Sequence, residues 1–192
     1  MLDTTNPWAV QRTLMQASGQ TIPAAPVLHK GLLLYAALNL EEGRETLAGL
    51  VKALNRTLEQ PGLPPEISQT LAAVATHLHD ADVQMHEHSL AVRAALGHLP
   101  ASFTAHLEHS EIREMADGTT DLTVTNSGFA LSLGIDGARC YDQVALSNLS
   151  KRNPDTGVID KTPDGKWIKG RDYVEPDLDS VLFSTGTPAM TL

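Results

Sequence analysis

Three glutamates at the end of an apolar run are the first residues whose spacing suggests chemistry. In the stretch NLEEGRETL, Glu42 and Glu45 are three positions apart, so a helix would carry both on one face with Glu41 at its edge. A single pattern of this kind is usually a solvated helix face. A metal site would need matching carboxylates elsewhere in the chain.

A second acidic cluster provides such a match. In the stretch EIREMADGTTD, Glu114 and Asp117 repeat the three-residue spacing, Asp121 lies seven positions after Glu114, and Glu111 comes one step earlier. If the two helices pack antiparallel, four to six carboxylates converge, and they repel strongly unless cations separate them. Mg²⁺ and Mn²⁺ prefer such oxygen ligands, whereas the lack of His and Cys in both clusters disfavours zinc.

The periodicity of apolar residues predicts an all-α chain with a four-helix core. We expect a short helix over residues 7–18 and long helices over residues 28–58 and 66–99, ended by QPGLPP and Pro100. In the helix over residues 28–58, the apolar positions at helical spacing are Leu32, Leu33, Ala36, Leu40, Leu47, Leu50 and Leu54. After Lys151 we expect a small hairpin or ordered loop around Asp164-Gly165, and from about residue 179 a flexible tail. Together these form a single domain of residues 1–192.

The third long helix conflicts with local propensity. It would begin near Ser102, a residue suited to an N-cap, and continue through Gly118, four threonines and Gly128, all poor helix formers. Small residues do let helices approach closely, and local rules tend to fail where function constrains a sequence. A shorter fourth helix is expected after Asp136, a second N-cap.

Composition limits the classes of function. The chain of 192 residues has a net charge of −9, which argues against a nucleic-acid partner. No apolar stretch is long enough to span a membrane, no secretory signal is visible, and Cys140 is the single cysteine, so we expect a cytoplasmic protein without disulfides. Metal ions between carboxylates and phosphates would still let an acidic protein bind phosphorylated substrates.

Four stretches in order, EEGRE, EMADGTTD, VALSNLSK and DGKWIKGRDYVEPDL, resemble the MazG-like superfamily of all-α nucleoside triphosphate pyrophosphohydrolases. The likeness covers roughly residues 10–178 and is weakest over 60–105. It is strongest to phosphoribosyl-ATP pyrophosphohydrolase-like proteins, and also extends to a phage branch, MazZ, that acts on GTP and dGTP. Gly118, Thr119 and Thr120 depart from the family pattern, where more apolar residues are expected.

The resemblance implies hydrolysis of a nucleoside triphosphate to its monophosphate and pyrophosphate, with two or three Mg²⁺ or Mn²⁺ ions per site. It makes Glu42 both a catalytic residue and a metal ligand, and Glu41 the candidate general base. The further metal ligands it implies are Glu45, Glu114, Asp117 and Asp121. The residues it assigns to the nucleotide are Ser147, Asn148, Lys151, Lys166, Lys169 and Tyr173.

The resemblance and the several leucine-bearing sides of the long helices predict a homo-oligomer, either a dimer or a dimer of dimers. Guanine nucleotides rank first as substrates, and dUTP or another dNTP is the alternative within the same fold. The alternative of a different class is a non-catalytic helical interaction protein with solvated carboxylates.

Two other patterns are weaker. His79, Asp82 and His86 share a helix face in HLHDADVQMHEH, which fits a polar, solvent-facing or subunit-facing stripe better than a metal site. A metal-dependent phosphohydrolase of the HD type needs a further upstream His and a downstream Asp at particular spacings. Cys140 fits a small buried hydrophobic residue better than a nucleophile.

Overall fold

In the computed structural model, which describes residues 6–183, the chain is predominantly helical, which confirms the predicted all-α class. The helices are α1 (Pro7–Ala17), α2 (Lys30–Leu58), α3 (Pro65–Leu96), α4 (His109–Ser132), α5 (Gly137–Ser150) and α6 (Leu178–Leu182). Two short strands, β1 (Leu28–His29) and β2 (Thr104–Ala105), pair antiparallel. No helix within residues 6–183 is both long and apolar enough to cross a membrane.

The chain divides into two compact units. One comprises the described residues up to Val27 and from His106 onward, and the other is Leu28–Ala105. We refer to them as the outer unit and the hairpin unit. The four-helix core and the single domain over residues 1–192 stay predictions.

The hairpin unit consists of α2 and α3 packed along their length. Leu34 and Ala37 of α2 are buried, as are Ala75, Ser89 and Leu96 of α3. The Ser89 hydroxyl donates a hydrogen bond to the Ala37 carbonyl across this interface at 2.9 Å. The leucines expected to form the stripe of α2 are half-buried, because the side facing α3 is centred on Leu34 and Ala37 instead.

The outer unit has its core between α1 and α5. Val10 and Leu14 pack against Ala145, with Tyr141, Leu149 and Trp167 around them. Asp136 caps α5 as predicted, since its carboxylate accepts a hydrogen bond from the Arg139 N–H at 3.1 Å.

The segment after α5 is an ordered loop with isolated bridges between Arg152 and Ile159 and between Lys161 and Trp167. It leads to α6, where Val181 is buried. The part of the expected flexible tail beyond residue 183 lies outside the described residues.

The predicted start of the third long helix near Ser102 was wrong. Residues 104 and 105 pair with β1, and α4 begins at His109, where the Glu111 carboxylate accepts the Glu108 N–H at 2.8 Å in a capping-box arrangement. The prediction that the helix continues through the glycines and threonines is confirmed, because α4 runs unbroken to Ser132.

Hydroxyl groups along α4 are bonded to the helix itself. The side chains of Thr120, Thr123, Thr125, Ser127 and Ser132 each donate to the carbonyl four positions earlier, at 2.8 to 3.1 Å. These bonds satisfy the hydroxyls without ending the helix. The helix still carries an intrinsic propensity cost on the order of 5 kcal/mol relative to alanine, summed over its two glycines and its many polar residues.

Candidate nucleotide-binding surface

Two separated stretches of the outer unit meet around the side chain of Lys151. Its ammonium donates to the Asn148 side-chain oxygen at 2.7 Å and lies 6.0 Å from the ring centres of both Trp167 and Tyr173. The ammonium of Lys169 lies 4.5 Å from the centre of the same Tyr173 ring. We call Lys151, Trp167, Lys169 and Tyr173 the lysine–aromatic cluster.

Backbone contacts hold the two stretches together. The Ser150 hydroxyl accepts the Val174 N–H at 2.8 Å and donates to the Ser147 carbonyl of its own helix at 2.7 Å. The buried Ser147 hydroxyl donates to the Tyr173 hydroxyl at 3.4 Å. A side chain at Gly170 would come within 3.3 Å of the Lys151 carbonyl, so the absence of one permits this close backbone approach.

Trp167 ties the cluster to the core of its unit. It packs against the group formed by Val10, Leu14 and Ala145. It follows a turn in which Gly165 has a φ of 100° and the Thr162 hydroxyl is bonded to the Asp164 carboxylate. The position of the ring beside Lys151 is thus fixed by residues far from it in sequence.

The electrostatics of the cluster favour an anion. The Lys151 and Lys169 ammonium groups lie 6.0 and 4.5 Å from the centre of the Tyr173 ring, which attracts each through its electron-rich face. Lys169 also contacts the Glu175 carboxylate at 3.7 Å, but both side chains are well exposed, so this ion pair is weak. A polyphosphate that contacts both lysines would bind to ammonium groups that are already held in place by their neighbours.

Most residues predicted to contact a nucleotide therefore lie together. Ser147, Asn148, Lys151, Lys169 and Tyr173 join one surface, and Lys166 is half-buried on the turn before Trp167. Trp167 and Ser150 were not among the residues that the resemblance assigned to the nucleotide. The second serine of the stretch SNLSK was the available signal, since it lies one turn from Ser147.

The carboxylates of α2 differ in their surroundings. Glu41 is half-buried and forms an ion pair with Arg93 of α3 at 3.5 Å. Glu42 and Glu45 are exposed. Glu41 therefore has a structural contact in addition to the catalytic role that the resemblance implies.

The carboxylates of α4, Glu114, Asp117 and Asp121, are all exposed. Oxygen donors of this kind suit Mg²⁺ or Mn²⁺, and Mg²⁺ often takes only one or two protein carboxylates and keeps several waters. Within residues 6–183, no three His, Cys, Asp or Glu side chains are grouped to hold a metal ion. That the carboxylates of α2 and α4 share metal ions stays a prediction.

The residues of the two weaker patterns form structural contacts or lie exposed. Asp82 forms an ion pair with Arg44 of α2 at 3.4 Å, while His79 and His86 are exposed on α3. Cys140 is half-buried, and burial raises the pKa of its thiol, with a smaller contribution from the charge of Asp136. A raised pKa disfavours the thiolate that a nucleophile would need.

Comparison of the chain with protein-family models, curated proteins and solved structures finds no match.

Proposed function

We propose that this chain is a metal-dependent nucleoside triphosphate pyrophosphohydrolase that cleaves between the α and β phosphates. The observation that supports it most is the lysine–aromatic cluster. Lys151 and Asn148 come from one sequence motif and Lys169 and Tyr173 from another, and they lie on one surface. Two lysine ammonium groups beside one ring form a cationic surface that a polyphosphate would bind.

In this proposal Lys151 and Lys169 offset the charge that develops on the leaving pyrophosphate. Asn148 and the two rings keep the Lys151 ammonium in place before substrate binds. The Lys151 side chain therefore loses little conformational entropy when the transition state forms. The buried Ser147 hydroxyl positions Tyr173.

The carboxylates of α2 and α4 are proposed to bind the metal ions and to activate the attacking water. Glu42 and Glu45 of α2 and Glu114, Asp117 and Asp121 of α4 are the proposed ligands of Mg²⁺ or Mn²⁺, which when bound would polarise the phosphates and acidify the attacking water. Glu41 is proposed to accept the proton of that water as it attacks the α-phosphorus. The ion pair with Arg93 would hold its carboxylate in position.

On the basis of the resemblance alone, guanine nucleotides are the proposed substrates and the cytoplasm the proposed compartment. The first experiment is therefore a screen of every NTP and dNTP with Mn²⁺ or Mg²⁺, with released pyrophosphate as the measurement. Lys151→Ala should lower kcat/KM by about 100-fold, since it removes a charge aimed at the transition state. EDTA should abolish turnover, and added Mg²⁺ should restore it.

Lys161→Ala is the matched control. Lys161 is an exposed lysine of the same loop and is not part of the lysine–aromatic cluster, so its removal should leave kcat/KM unchanged. Equal losses in both variants would mean that the effect is general surface charge and not the cluster. No turnover of any nucleotide would end the enzyme proposal.

The second candidate, a non-catalytic helical interaction protein, is favoured by one feature. Within its own unit α4 buries no residue and leaves several large apolar side chains exposed. The pyrophosphate assay separates the two candidates, because only the enzyme consumes nucleotide.

A further inference from the structure

Lys169 and Glu175 lie at the two ends of a tight turn in the outer unit. The Tyr173 N–H donates to the Gly170 carbonyl at 3.2 Å, so the chain reverses its direction between the two side chains. The Lys169 ammonium lies 3.7 Å from the Glu175 carboxylate and 4.5 Å from the centre of the Tyr173 ring. A cation of the lysine–aromatic cluster therefore has an acidic neighbour from its own chain.

The backbone on both sides of Glu175 is held in place. The Val174 N–H donates to the Ser150 hydroxyl of α5 at 2.8 Å. Pro176 follows Glu175 and restricts the backbone of that glutamate to extended conformations. Because both neighbours are constrained, the carboxylate stays within reach of Lys169 whenever its side chain points inward.

The remaining charges of this turn have other contacts. Arg171 forms ion pairs with Asp155 at 3.1 Å and with Asp172 at 3.7 Å. Those two carboxylates neutralise Arg171, and Glu175 is the carboxylate at ion-pair distance from Lys169. The charge of Lys169 is thus offset by a single residue that can be replaced without disturbing the other pairs.

The ion pair between Lys169 and Glu175 is suited to exchange. The two side chains are 61% and 80% exposed, so water screens their attraction and each regains rotamer freedom on separation. A polyphosphate carries more negative charge than one carboxylate. A bound polyphosphate can therefore displace Glu175 from Lys169 without breaking any buried contact.

We propose that Glu175 is an internal counter-ion that competes with phosphate groups for Lys169 and so sets how tightly a polyphosphate binds the lysine–aromatic cluster. The class of ligand rests on the proposed function. When the site is empty, the carboxylate neutralises the ammonium. When a polyphosphate is bound, the carboxylate turns into water and repels the bound anion. Glu175 therefore weakens the binding of the pyrophosphate product and favours its release.

Titration calorimetry of the full chain with inorganic pyrophosphate and with tripolyphosphate, in EDTA at low ionic strength, tests the proposal without turnover. Glu175→Gln should bind both ligands about 2- to 5-fold more tightly than the wild type, the range expected for one exposed ion pair. The matched control is Asp179→Asn, which removes the same charge from an exposed carboxylate of α6 outside the cluster. The control should bind both ligands as the wild type does.

A Lys169→Ala chain provides the second comparison. Because the competition requires this lysine, adding Glu175→Gln to the Lys169→Ala chain should leave both affinities nearly unchanged. Equal gains in the two backgrounds would mean that Glu175 acts on the ligand and not through Lys169, and would overturn the proposal. An equal gain in Asp179→Asn, no gain in Glu175→Gln, or a wild type that binds neither ligand would overturn it as well.

The pyrophosphate assay separates this proposal from the proposed function. Tighter binding by Glu175→Gln in a chain that turns over no nucleotide would support the counter-ion role and end the enzyme proposal. If nucleotide is turned over, the KI of pyrophosphate as a product inhibitor should fall in Glu175→Gln by the same factor as the dissociation constant. An unchanged KI would overturn the counter-ion role and leave the enzyme proposal intact.

Discussion

The two helices α3 and α4 are both long, yet they differ in what supports them. Of the 32 residues of α3, Ala75, Ser89 and Leu96 are buried against its surroundings, whereas α4 has 24 residues and buries none within its unit. Local hydrogen bonds close the caps and hydroxyls of α4, but no side chain of this helix is fully buried to stabilise it. The difference teaches that the sequence can encode helix formation and helix burial separately.

The largest expected difference between the two helices comes from replacing one leucine on each of them with alanine. Leu96→Ala removes a side chain that is 2% exposed and should lower the free energy of unfolding by about 2–5 kcal/mol. Leu122→Ala removes a side chain that is 50% exposed and should lower the free energy of unfolding by less than about 1 kcal/mol. Urea unfolding followed by circular dichroism measures both.

The concentration of protein gives this pair its control. The loss in Leu96→Ala should not depend on concentration, because the residue is buried inside the chain. The loss in Leu122→Ala should stay the smaller of the two at every concentration, because half of this side chain is in water. Equal losses at all concentrations would contradict the contrast between the two helices.

A smaller effect is expected where the outer unit has its own core. The Tyr141 hydroxyl donates to the Pro7 carbonyl at 3.0 Å, and this bond links α5 to the start of α1. Tyr141→Phe should lower stability by about 1 kcal/mol at neutral pH. If it has no effect on thermal unfolding, the contact between α1 and α5 is not what stabilises the unit that carries α4.

The same tyrosine predicts a pH dependence. Burial, and secondarily the charge of Asp142, raises the pKa of Tyr141, so the folded chain holds this proton more tightly than the unfolded chain. The contribution of Tyr141 to stability should therefore be intact below pH 10 and be lost as the pH rises beyond it. Tyr141→Phe should remove this fall and leave the earlier one, near pH 9, that the raised pKa of Cys140 produces.

The smallest expected effect compares two helical glycines. A side chain at Gly128 of α4 meets nothing within 4 Å, so Gly128→Ala should stabilise by about 0.5–1 kcal/mol through helix propensity. A side chain at Gly43 of α2 would lie 2.7 Å from the Met85 methyl group, so Gly43→Ala should lose that gain or destabilise. The melting temperature should rise for Gly128→Ala and should rise less or fall for Gly43→Ala; a fall for Gly128→Ala would mean that α4 is packed at Gly128.

Much of the fold could be predicted from local signals. Prolines and glycines marked the helix ends, and Asp136 was a recognisable cap because its carboxylate reaches the next turn. The Ser102 cap failed because residues 104 and 105 pair with a strand 76 positions earlier in the chain, at residues 28 and 29, which no local pattern reveals. The buried face of α2 was misplaced for a similar reason: leucines occur on several sides, and only the position of α3 selects Leu34 and Ala37.

The candidate surface was predicted in part. Lys151, Lys169 and Tyr173 could be named from their motifs, because each motif is short and continuous. The dual place of Trp167 could not, since its packing on α1 and its position beside Lys151 both depend on how the loop after α5 folds back. The carboxylates were identified by spacing, but spacing along one helix gives no information about a second helix.

The antiparallel pairing of Leu28 with Ala105 and of His29 with Thr104 has one more consequence. It brings the entry and the exit of the hairpin unit side by side, with the Lys30 ammonium bonded to the Leu99 carbonyl next to them. Segments whose two ends adjoin can be excised, transplanted or permuted with only a short linker to reclose the backbone. The α2–α3 hairpin is thus built like a cassette inserted into a host chain, and it can be exchanged genetically without lengthening the connection between Val27 and His106.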